Sequence, residues 1–312
     1  MIITVTMNPA IDKTVDIGDF EHGGLNRIQR VVLDAGGKGI NVSRTVKELG
    51  GTTIATGFLA GNSGAVIETM LESYGIRADF VHVCGETRTN MKVVEQNGTV
   101  TELNEPGPSV TLEQTEELIA KLEAYADADT LFVLAGSVPR GIDKDIYRVI
   151  TEKVHAKGAS VLVDADGELL VRALEAVPEM VKPNWAELEE YFHFAHTADR
   201  AELIQLGCRL LDQGIGLAAV SMGPEGALFL GKERKYSAPG LTVKTHSTVG
   251  AGDAMAAALA YGWDQRWPLE KSASLGMAVS AGAVTTLGTK PPAREIVEEL
   301  LKQVQLEEIS DV

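Results

Sequence analysis

Short apolar segments alternate with amphipathic segments along most of this 312-residue chain. Strand-like apolar runs occupy residues 2–6, 53–57, 130–134, 160–163, 180–182 and 217–221. Between them, apolar residues recur with helical spacing over residues 40–49, 63–74, 112–125, 144–155 and 201–212. Such alternation favours parallel strands joined by helices that cover both faces of the sheet. The pattern therefore predicts an α/β fold built on a mostly parallel sheet.

Two segments interrupt this alternation, residues 11–34 and 90–104. Both show polar and β-branched alternation, and Asn97-Gly98 is typical of a hairpin turn between residues 91–95 and 99–103. Neither segment is large enough to bury a core alone, so we expect them to join as one small sheet over the strand ends. The whole chain is predicted to form a single domain, with a lid built from these two insertions.

The formal net charge of the chain is −16. This acidity argues against nucleic acid or an anionic membrane as partner, and an anionic substrate would need a local basic cluster. No apolar run approaches the ~18 residues of a membrane span, and residues 1–6 resemble a strand more than a cleavable leader. Cys84 and Cys208 lack metal-like spacing, so free thiols in a reducing cytoplasm are expected.

The turn Gly250-Ala251-Gly252-Asp253 opens onto small and apolar residues that predict a tightly packed helix. Glycines at a helix N-terminus let backbone amides approach a phosphate, and Asp253 is then placed to deprotonate a hydroxyl. The helix dipole is expected to keep Asp253 ionised. The same glycines nearly satisfy the dinucleotide pattern GxGxxG, which fails at Met255. The motif alone leaves phosphoryl transfer and dinucleotide binding open.

Polar residues near the first strand are candidates for binding a sugar phosphate. Asp12 follows that strand after a turn, where side chains reach the crevice at strand ends, although a local cap is the commoner role. Gly37, Lys38 and Asn41 belong to a second glycine-rich turn, which is either a ligand-binding turn or a hinge with a solvated lysine. Basic residues on the converging segments are Arg27, Lys38, Arg88 and Lys92.

Two later turns could face a nucleotide. Asn184 and Glu187 follow a strand and open a helix, where a plain capping box explains them equally well. Ser221, Gly223 and Gly226 follow another strand, and both a simple hairpin and a phosphate-binding turn fit them. None of these motifs is specific by itself, but their order along the chain is.

That order closely resembles the ribokinase-like (pfkB) carbohydrate kinases, from Ile2 to about Thr289, in the motifs TMNPAID, AGGKGINVSR, TRTNMK, AGSVP, VKPN, SMGPEGAL and TVGAGDAM. NPAID, GGLNRI, GGKGINVSR and ETRTN resemble the branch that phosphorylates phosphorylated ketohexoses, 1-phosphofructokinase and tagatose-6-phosphate kinase. The resemblance implies a three-layer αβα domain with Mg-ATP as phosphoryl donor. It also implies a β-lid, which in this family commonly pairs with the lid of a second subunit.

The resemblance further implies roles for individual residues. It makes Asp253 the general base, with Gly250, Ala251 and Gly252 supplying a backbone anion hole. Residues implied to hold the sugar phosphate are Asp12, Gly37, Lys38, Asn41, Arg88, Asn90 and Ser137, with Arg27 reaching in from the lid. Residues implied to face ATP and Mg²⁺ are Lys182, Asn184, Glu187, Ser221, Gly223, Gly226 and Thr248, with Glu187 acting on the metal indirectly.

Two positions depart from the family pattern: Ala254 replaces the usual Ser or Thr after the base, and Ala135 replaces a frequent Ser. Neither change removes a charged group, so activity is expected. The run TRTNMK resembles the TRxNxK pattern of 1-phosphofructokinases, which favours D-fructose 1-phosphate phosphorylated at its 6-hydroxyl.

Tagatose-6-phosphate kinase and 6-phosphofructokinase activities stay open. So do two other classes of protein: a nucleotide-binding oxidoreductase, which the late and incomplete GxGxxG disfavours, and a non-catalytic sugar sensor, which Asp253 disfavours.

The lid is also expected to expose apolar side chains, because a sheet of that size cannot bury two faces. The positions concerned are Val15, Ile17, Ile28, Val93 and Val100. A second copy of the chain would cover them, which predicts a homodimer through the lids. A monomer whose lid packs on its own domain is the alternative.

Overall fold

The computed structural model describes residues 1–310 and contains two separate β-sheets, the larger of which is packed between helices. The strands, in chain order, are β1 (Ile2–Thr6), β2 (Ala10–Asp16), β3 (Arg30–Gly36), β4 (Thr53–Ala60), β5 (Arg77–Ala78), β6 (Val81–Val83), β7 (Arg88–Val94), β8 (Val100–Asn104), β9 (Leu131–Ala135), β10 (Ser160–Asp164), β11 (Met180–Val181), β12 (Leu217–Ser221), β13 (Ala227–Gly231), β14 (Lys235–Ala238) and β15 (Glu307–Glu308). The helices are α1 (Lys38–Glu48), α2 (Gly61–Ser73), α3 (Leu112–Tyr125), α4 (Ile146–His155), α5 (Gly167–Leu174), α6 (Trp185–Tyr191), α7 (Arg200–Asp212), α8 (Ala251–Asp264), α9 (Leu269–Ala283) and α10 (Arg294–Leu301).

The larger sheet has the strand order β15-β14-β13-β12-β11-β10-β9-β1-β4-β5, and β6 also pairs with β4. The pairings from β5 through to β12 are parallel, whereas β12, β13, β14 and β15 pair in antiparallel fashion. The antiparallel edge was not predicted, because residues 227–238 form a hairpin outside the strand and helix alternation.

Each face of the larger sheet has its own hydrophobic core. On β9, Phe132 and Leu134 pack with side chains of α3 to α7, whereas Leu131 and Val133 pack with side chains of α1, α8 and α9. Successive strand residues point to opposite faces, so this division follows directly from the strand geometry. Helices therefore cover both faces, and the carboxyl ends of the parallel strands lie between the two helical layers.

The structure confirms the predicted α/β fold with a large, mostly parallel sheet. Helix α3 has the predicted bounds, because Thr111 forms a capping box with Gln114 that fixes its first residue. Strand β12 also has its predicted bounds. Within residues 1–310, no helix combines the length and apolarity needed to cross a membrane.

The small sheet has the strand order β3-β2-β7-β8, with β2 and β7 parallel and the outer pairs antiparallel. Gly98 lies in the turn between β7 and β8 with a φ of 86°, which a glycine adopts without strain. Alternation along the strands gives the sheet one polar face, whose cross-strand rows are Asp12-Asn90-Asn104 and Thr14-Lys92-Glu102.

The opposite face of the small sheet is apolar, but its exposure differs from the expectation. Val15, Ile17 and Val93 are buried within the protomer, where they pack on one another and on Met91, so the prediction that they are exposed is wrong. Ile28 and Val100 are exposed, as expected. Three further apolar side chains of this sheet are also exposed: Val31, Leu33 and Leu103.

Candidate active site

Two adjoining cavities lie at the carboxyl ends of the parallel strands, where ligands bind in open α/β sheets. The first, of about 800 Å³, is lined mainly by residues of α6, α8, α9 and the segment after β14. The second, of about 310 Å³, lies between those strand ends and the polar face of the small sheet. Lys38, Gly250 and Asp253 line both cavities and form the wall that they share.

The N-terminus of α8 forms part of this wall. Gly250 precedes the helix in the left-handed region (φ 88°), and no side chain caps the amides of the first turn. A methyl group at Gly252 would lie 3.2 Å from Lys182 Nζ, so a side chain there would crowd the ammonium group. The backbone amides, the helix dipole and Lys182 together make this point suited to an anion.

Asp253 lies in the first turn of α8 and is buried. Asn41, on α1, donates a hydrogen bond from Nδ2 to Asp253 Oδ2 over 2.8 Å. Burial and the neighbouring carboxylate of Asp164 raise the pKa of Asp253 to about 6, against the opposing effects of Lys38 and Asn41. The helix dipole was expected to favour the ionised form, but burial and Asp164 instead shift the balance towards the protonated form.

Asp164 ends strand β10 and brings two lysines together. Its Oδ1 lies 3.0 Å from Lys38 Nζ and 3.4 Å from Lys182 Nζ. Burial alone would raise the pKa of Asp164, but the ammonium groups of Lys182 and Lys38 hold it below its usual value. Sequence reasoning missed this residue, although an acid at the carboxyl end of a buried strand is a signal that could have identified it.

Lys38 is therefore held in place from the main domain. Burial alone would lower its pKa, but the carboxylates of Asp164 and Asp253 outweigh that effect and keep its ammonium group protonated. Gly37, which precedes α1 with a φ of 113°, places Lys38 at the first helical position, and both residues line the second cavity.

The small sheet contributes the other side of the second cavity. Asp12 and Asn90 are cross-strand neighbours, and Asn90 Nδ2 lies 3.5 Å from Asp12 Oδ1. Burial raises the pKa of Asp12, although Lys92 opposes the shift. Ser137, in the segment after β9, lines the same cavity. The candidate substrate residues Asp12, Gly37, Lys38, Asn41, Arg88, Asn90 and Ser137 thus all meet there.

Arg88 lines this cavity, and three of the five N–H groups of its guanidinium are already engaged. Nε and Nη2 donate to the carbonyl oxygen of Asn8, and Nη1 donates to the carbonyl oxygen of Glu105. Arg27 differs from the other candidates, because it is exposed in the segment between β2 and β3 and lines neither cavity.

Unsatisfied polar atoms mark the two cavities. Among residues 1–310, six buried side-chain oxygens have no hydrogen-bond partner, and all six belong to residues that line one of the cavities: Thr6, Asn8, Asn41, Asn90, Asp164 and Thr289. Buried polar atoms are normally paired, so this concentration indicates a ligand rich in hydroxyl groups or other donors. Thr6, Asn8 and Thr289 were not among the sequence candidates.

The first cavity contains the residues proposed to face the nucleotide. Asn184 and Glu187 form a reciprocal capping box at α6, as the alternative explanation held, and both also line the cavity. Burial raises the pKa of Glu187. The remaining candidates on this side also line the cavity: Lys182, Ser221, Gly223, Gly226 and Thr248.

An apolar part of the first cavity was not foreseen from the sequence. Its side chains are Leu241, Val243, Met277, Ala281 and Val284. They come from α9 and from two irregular segments, where no periodic pattern points to a shared surface. A flat apolar group such as a nucleobase fits surroundings of this kind.

An α/β domain in which two cavities meet at one carboxylate, beside an uncapped helix N-terminus, has the architecture of a two-substrate kinase. The chain belongs to the pfkB family of carbohydrate kinases, whose model matches residues 5–296. This confirms the resemblance inferred from the motifs.

Individual relatives agree with this family. The chain is 37% identical to a 1-phosphofructokinase of Bacillus subtilis, over 98% of this chain and 99% of the relative. It is 36% identical to a 1-phosphofructokinase of Borreliella burgdorferi, over 99% of each chain. A solved structure of phosphofructokinase-2 from Escherichia coli with potassium has a TM-score of 0.92 and 26% identity, covering 97% of this chain and 98% of the other. Another structure of that enzyme is described as its tetrameric inhibited form.

Proposed function

We propose that the protein transfers the γ-phosphoryl group of ATP to the 6-hydroxyl of D-fructose 1-phosphate, giving D-fructose 1,6-bisphosphate. The observation that carries the proposal is the position of Asp253, which lies in the wall between two cavities and accepts a hydrogen bond from Asn41. A base at that point can reach a hydroxyl in one cavity while a phosphoryl donor occupies the other. The names of the curated relatives support the choice of sugar.

The second cavity fits the acceptor sugar. Its volume of about 310 Å³ suits a ketohexose phosphate, and its unpaired oxygens on Thr6, Asn8, Asn41, Asn90 and Thr289 can meet sugar hydroxyls. Asp12 and Lys38 add charged contacts on opposite sides. In this arrangement Arg88 shapes the cavity wall, because it fastens strand β7 to the carbonyls of Asn8 and Glu105.

The first cavity fits ATP. Its apolar part would hold the adenine, and Lys182, Lys38 and the amides of residues 250–252 would meet the phosphates. Residues 1–310 contain no cluster of three or more His, Cys, Asp or Glu side chains that could hold a metal ion by themselves. The site fits Mg²⁺ held chiefly by nucleotide phosphates and water, with Glu187 acting indirectly, since Mg²⁺ usually keeps several waters and few protein ligands. When bound, Mg²⁺ neutralises phosphate charge.

The reaction would depend mainly on positioning. Asp253 would orient the acceptor hydroxyl and accept its proton late, since a loose transition state asks little of the base. Charge on the moving phosphoryl group would be met by the amides of Gly250, Ala251 and Gly252 and by the ammonium group of Lys182. The small sheet would act as a lid that excludes water, a competing acceptor.

The exposed apolar side chains of the small sheet support a homodimer. Val31, Leu33 and Leu103 lie on its outer face, away from the second cavity, and about half of each side chain is exposed. A two-fold partner would cover them. The exposed segment with Arg27 belongs to the same insertion, so Arg27 would reach an active site only in such an assembly.

A second candidate is phosphorylation of D-fructose 6-phosphate or D-tagatose 6-phosphate, which the structural similarity to phosphofructokinase-2 supports. Release of ADP from ATP and Mg²⁺ with each of the three sugar phosphates separates the candidates. We expect the highest kcat/KM with D-fructose 1-phosphate. A higher kcat/KM with either 6-phosphate would favour the second candidate. Turnover of NAD(H) without ADP release would overturn kinase function altogether.

A further inference from the structure

The second cavity has three cationic residues in its lining: Lys38, Arg88 and Lys92. Under the proposed function, on which this inference rests, at least one of them must bind the phosphate group that the acceptor sugar already carries. A phosphate dianion needs a donor that is not already used, because breaking existing contacts would offset the gain.

Two of the three cations are already engaged within the protein. Lys38 lies 3.0 Å from the buried carboxylate of Asp164, at the end of the cavity that adjoins the nucleotide side. Three of the five N–H groups of the Arg88 guanidinium donate to backbone carbonyls, so rotation towards a ligand would remove two hydrogen bonds from the carbonyl of the buried residue Asn8 and one from the exposed carbonyl of Glu105.

Lys92 is the exception. It lies on β7 at the centre of the polar face of the small sheet, and it is only 8% exposed. It makes no ion pair or side-chain hydrogen bond with any residue between 1 and 310. Its ammonium group is not among the buried polar atoms without partners in residues 1–310, so it faces the open cavity, where an anion could form a charge-assisted contact without displacing a protein partner.

The position of Lys92 relative to Asp253 also bears on how a sugar phosphate would be oriented in the cavity. Its cross-strand neighbours are Thr14 and Glu102, and it is the charge that most lowers the pKa of Asp12. The cations that act on Asp253 are instead Lys38 and Lys182. Both residues line the cavity, Lys92 from strand β7 of the small sheet and Asp253 from helix α8, so they contribute to opposite walls of it.

We propose that Lys92 binds the phosphate group of the acceptor sugar and selects substrates whose phosphate and reacting hydroxyl are at opposite ends of the molecule. D-fructose 1-phosphate, which reacts at its 6-hydroxyl, meets this requirement. Arg88 then supports the strand that carries Lys92, and Lys38 remains with the transferring phosphoryl group.

The test compares Lys92→Met with Lys153→Met, a control that removes a half-exposed lysine of α4 outside the small sheet and outside both cavities. We expect Lys92→Met to lower the ratio of kcat/KM for D-fructose 1-phosphate to that for D-fructose by about 10- to 100-fold. The KM for ATP should stay within about twofold, Lys92→Arg should recover part of the ratio, and Lys153→Met should keep the wild-type ratio.

An equal loss with both sugars would overturn the inference, because it would show that Lys92 only supports the fold. An unchanged ratio would overturn it as well. Calorimetric titration of D-fructose 1-phosphate into wild type and Lys92→Met without ATP keeps the two proposals distinguishable. Weaker binding by Lys92→Met than by wild type would support the phosphate assignment by itself. If wild type then binds this sugar phosphate but does not turn it over, the proposed reaction fails while the phosphate assignment stands.

Discussion

Asp253, the proposed base, is subject to opposing influences on the pKa of its carboxyl group. Its desolvation and the charge of Asp164 favour the protonated form, whereas Lys38, Lys182 and the hydrogen bond from Asn41 favour the ionised form. The balance gives a base that is stronger than an exposed aspartate but is still ionised at neutral pH.

Replacing Asp253 with Asn should therefore remove catalysis while leaving nucleotide binding nearly intact. The side chain keeps its size and its contact with Asn41 but can no longer accept a proton, so kcat should fall by about 10² to 10⁴. Steady-state kinetics and fluorescence titration with an ATP analogue measure the two effects. Glu270→Gln, in the first turn of α9, is a matched control and should keep wild-type kcat. Near wild-type turnover by Asp253→Asn would exclude it as the base.

The same residue predicts a pH dependence. A base must be ionised, and burial raises the pKa of Asp253 to about 6, so the active fraction should fall as pH drops through that value, to about a tenth at pH 5. The profile of kcat/KM between pH 4.5 and 8 tests this, after correction for ionisation of the substrate phosphate followed by ³¹P NMR. A flat corrected profile down to pH 5 would contradict the raised pKa.

The sequence identified individual candidate residues of the site better than it predicted the burial and the charges that surround them. Asp253 and Asn41 were candidates because each follows a glycine-rich turn, and such turns are visible in a sequence. Their hydrogen bond joins positions 212 residues apart, and the pKa depends on Asp164, which no local pattern connects to either of them. Burial and long-range charge are properties of the folded chain, so the sequence alone predicted the shift in the wrong direction.

Among the elements, α1 links the two sheets. Arg44, one turn beyond Asn41, donates from Nη2 to Asp34 Oδ1 of β3 over 3.1 Å and from Nη1 to the carbonyl oxygen of Ala35 over 3.2 Å. Asp34 is also the cross-strand neighbour of Asp12. The helix that carries Lys38 and Asn41 is thus bonded to the carboxyl end of strand β3 in the small sheet.

Removing this link should destabilise the protein. Both side chains are 6% exposed, so Arg44→Met would leave Asp34 buried without its cation, at a cost of about 3–5 kcal/mol. Urea denaturation measures the free energy of unfolding. Arg148→Met, which removes a more exposed arginine paired with Asp145 on the surface of α4, should cost no more than about 1 kcal/mol. Equal costs for the two variants would rule out a special role for the link.

Elements with local signals were predicted well and those without them were not. The capping box at Thr111 and the apolar run of β12 depend on neighbouring residues, which a sequence displays directly. Strand β3 has exposed residues along its first half and gains its structure from pairing with β2, which precedes it by a segment without regular structure. Its bounds could not be predicted, because the pairing partner decides them.

For the whole molecule, we expect the outer face of the small sheet to determine the state of assembly. We expect wild type to sediment at low micromolar concentration as a dimer of 33.3 kDa chains. Leu33→Glu should dissociate it and lower activity, since a charge at a half-exposed position on that face would be desolvated in the interface.

The control for this prediction is Leu112→Glu, which places the same charge at an exposed position at the start of α3. It should leave both assembly and activity unchanged. Wild type that sediments as a single chain at this concentration would refute the dimer, and full activity of a dissociated Leu33→Glu variant would show that the lid works without a partner.

The separation of the two sheets has a consequence for how the acceptor specificity of such an enzyme could evolve. Part of the lining proposed to meet the acceptor comes from β2 and β7, whose pairings lie within the small sheet, while the cavity proposed for the nucleotide is lined by residues outside the small sheet. Substitutions at Asp12, Asn90 or Lys92 therefore leave both main hydrophobic cores untouched. During evolution, a few substitutions in the small sheet could therefore change the acceptor sugar, while the residues proposed to bind the phosphoryl donor stay the same.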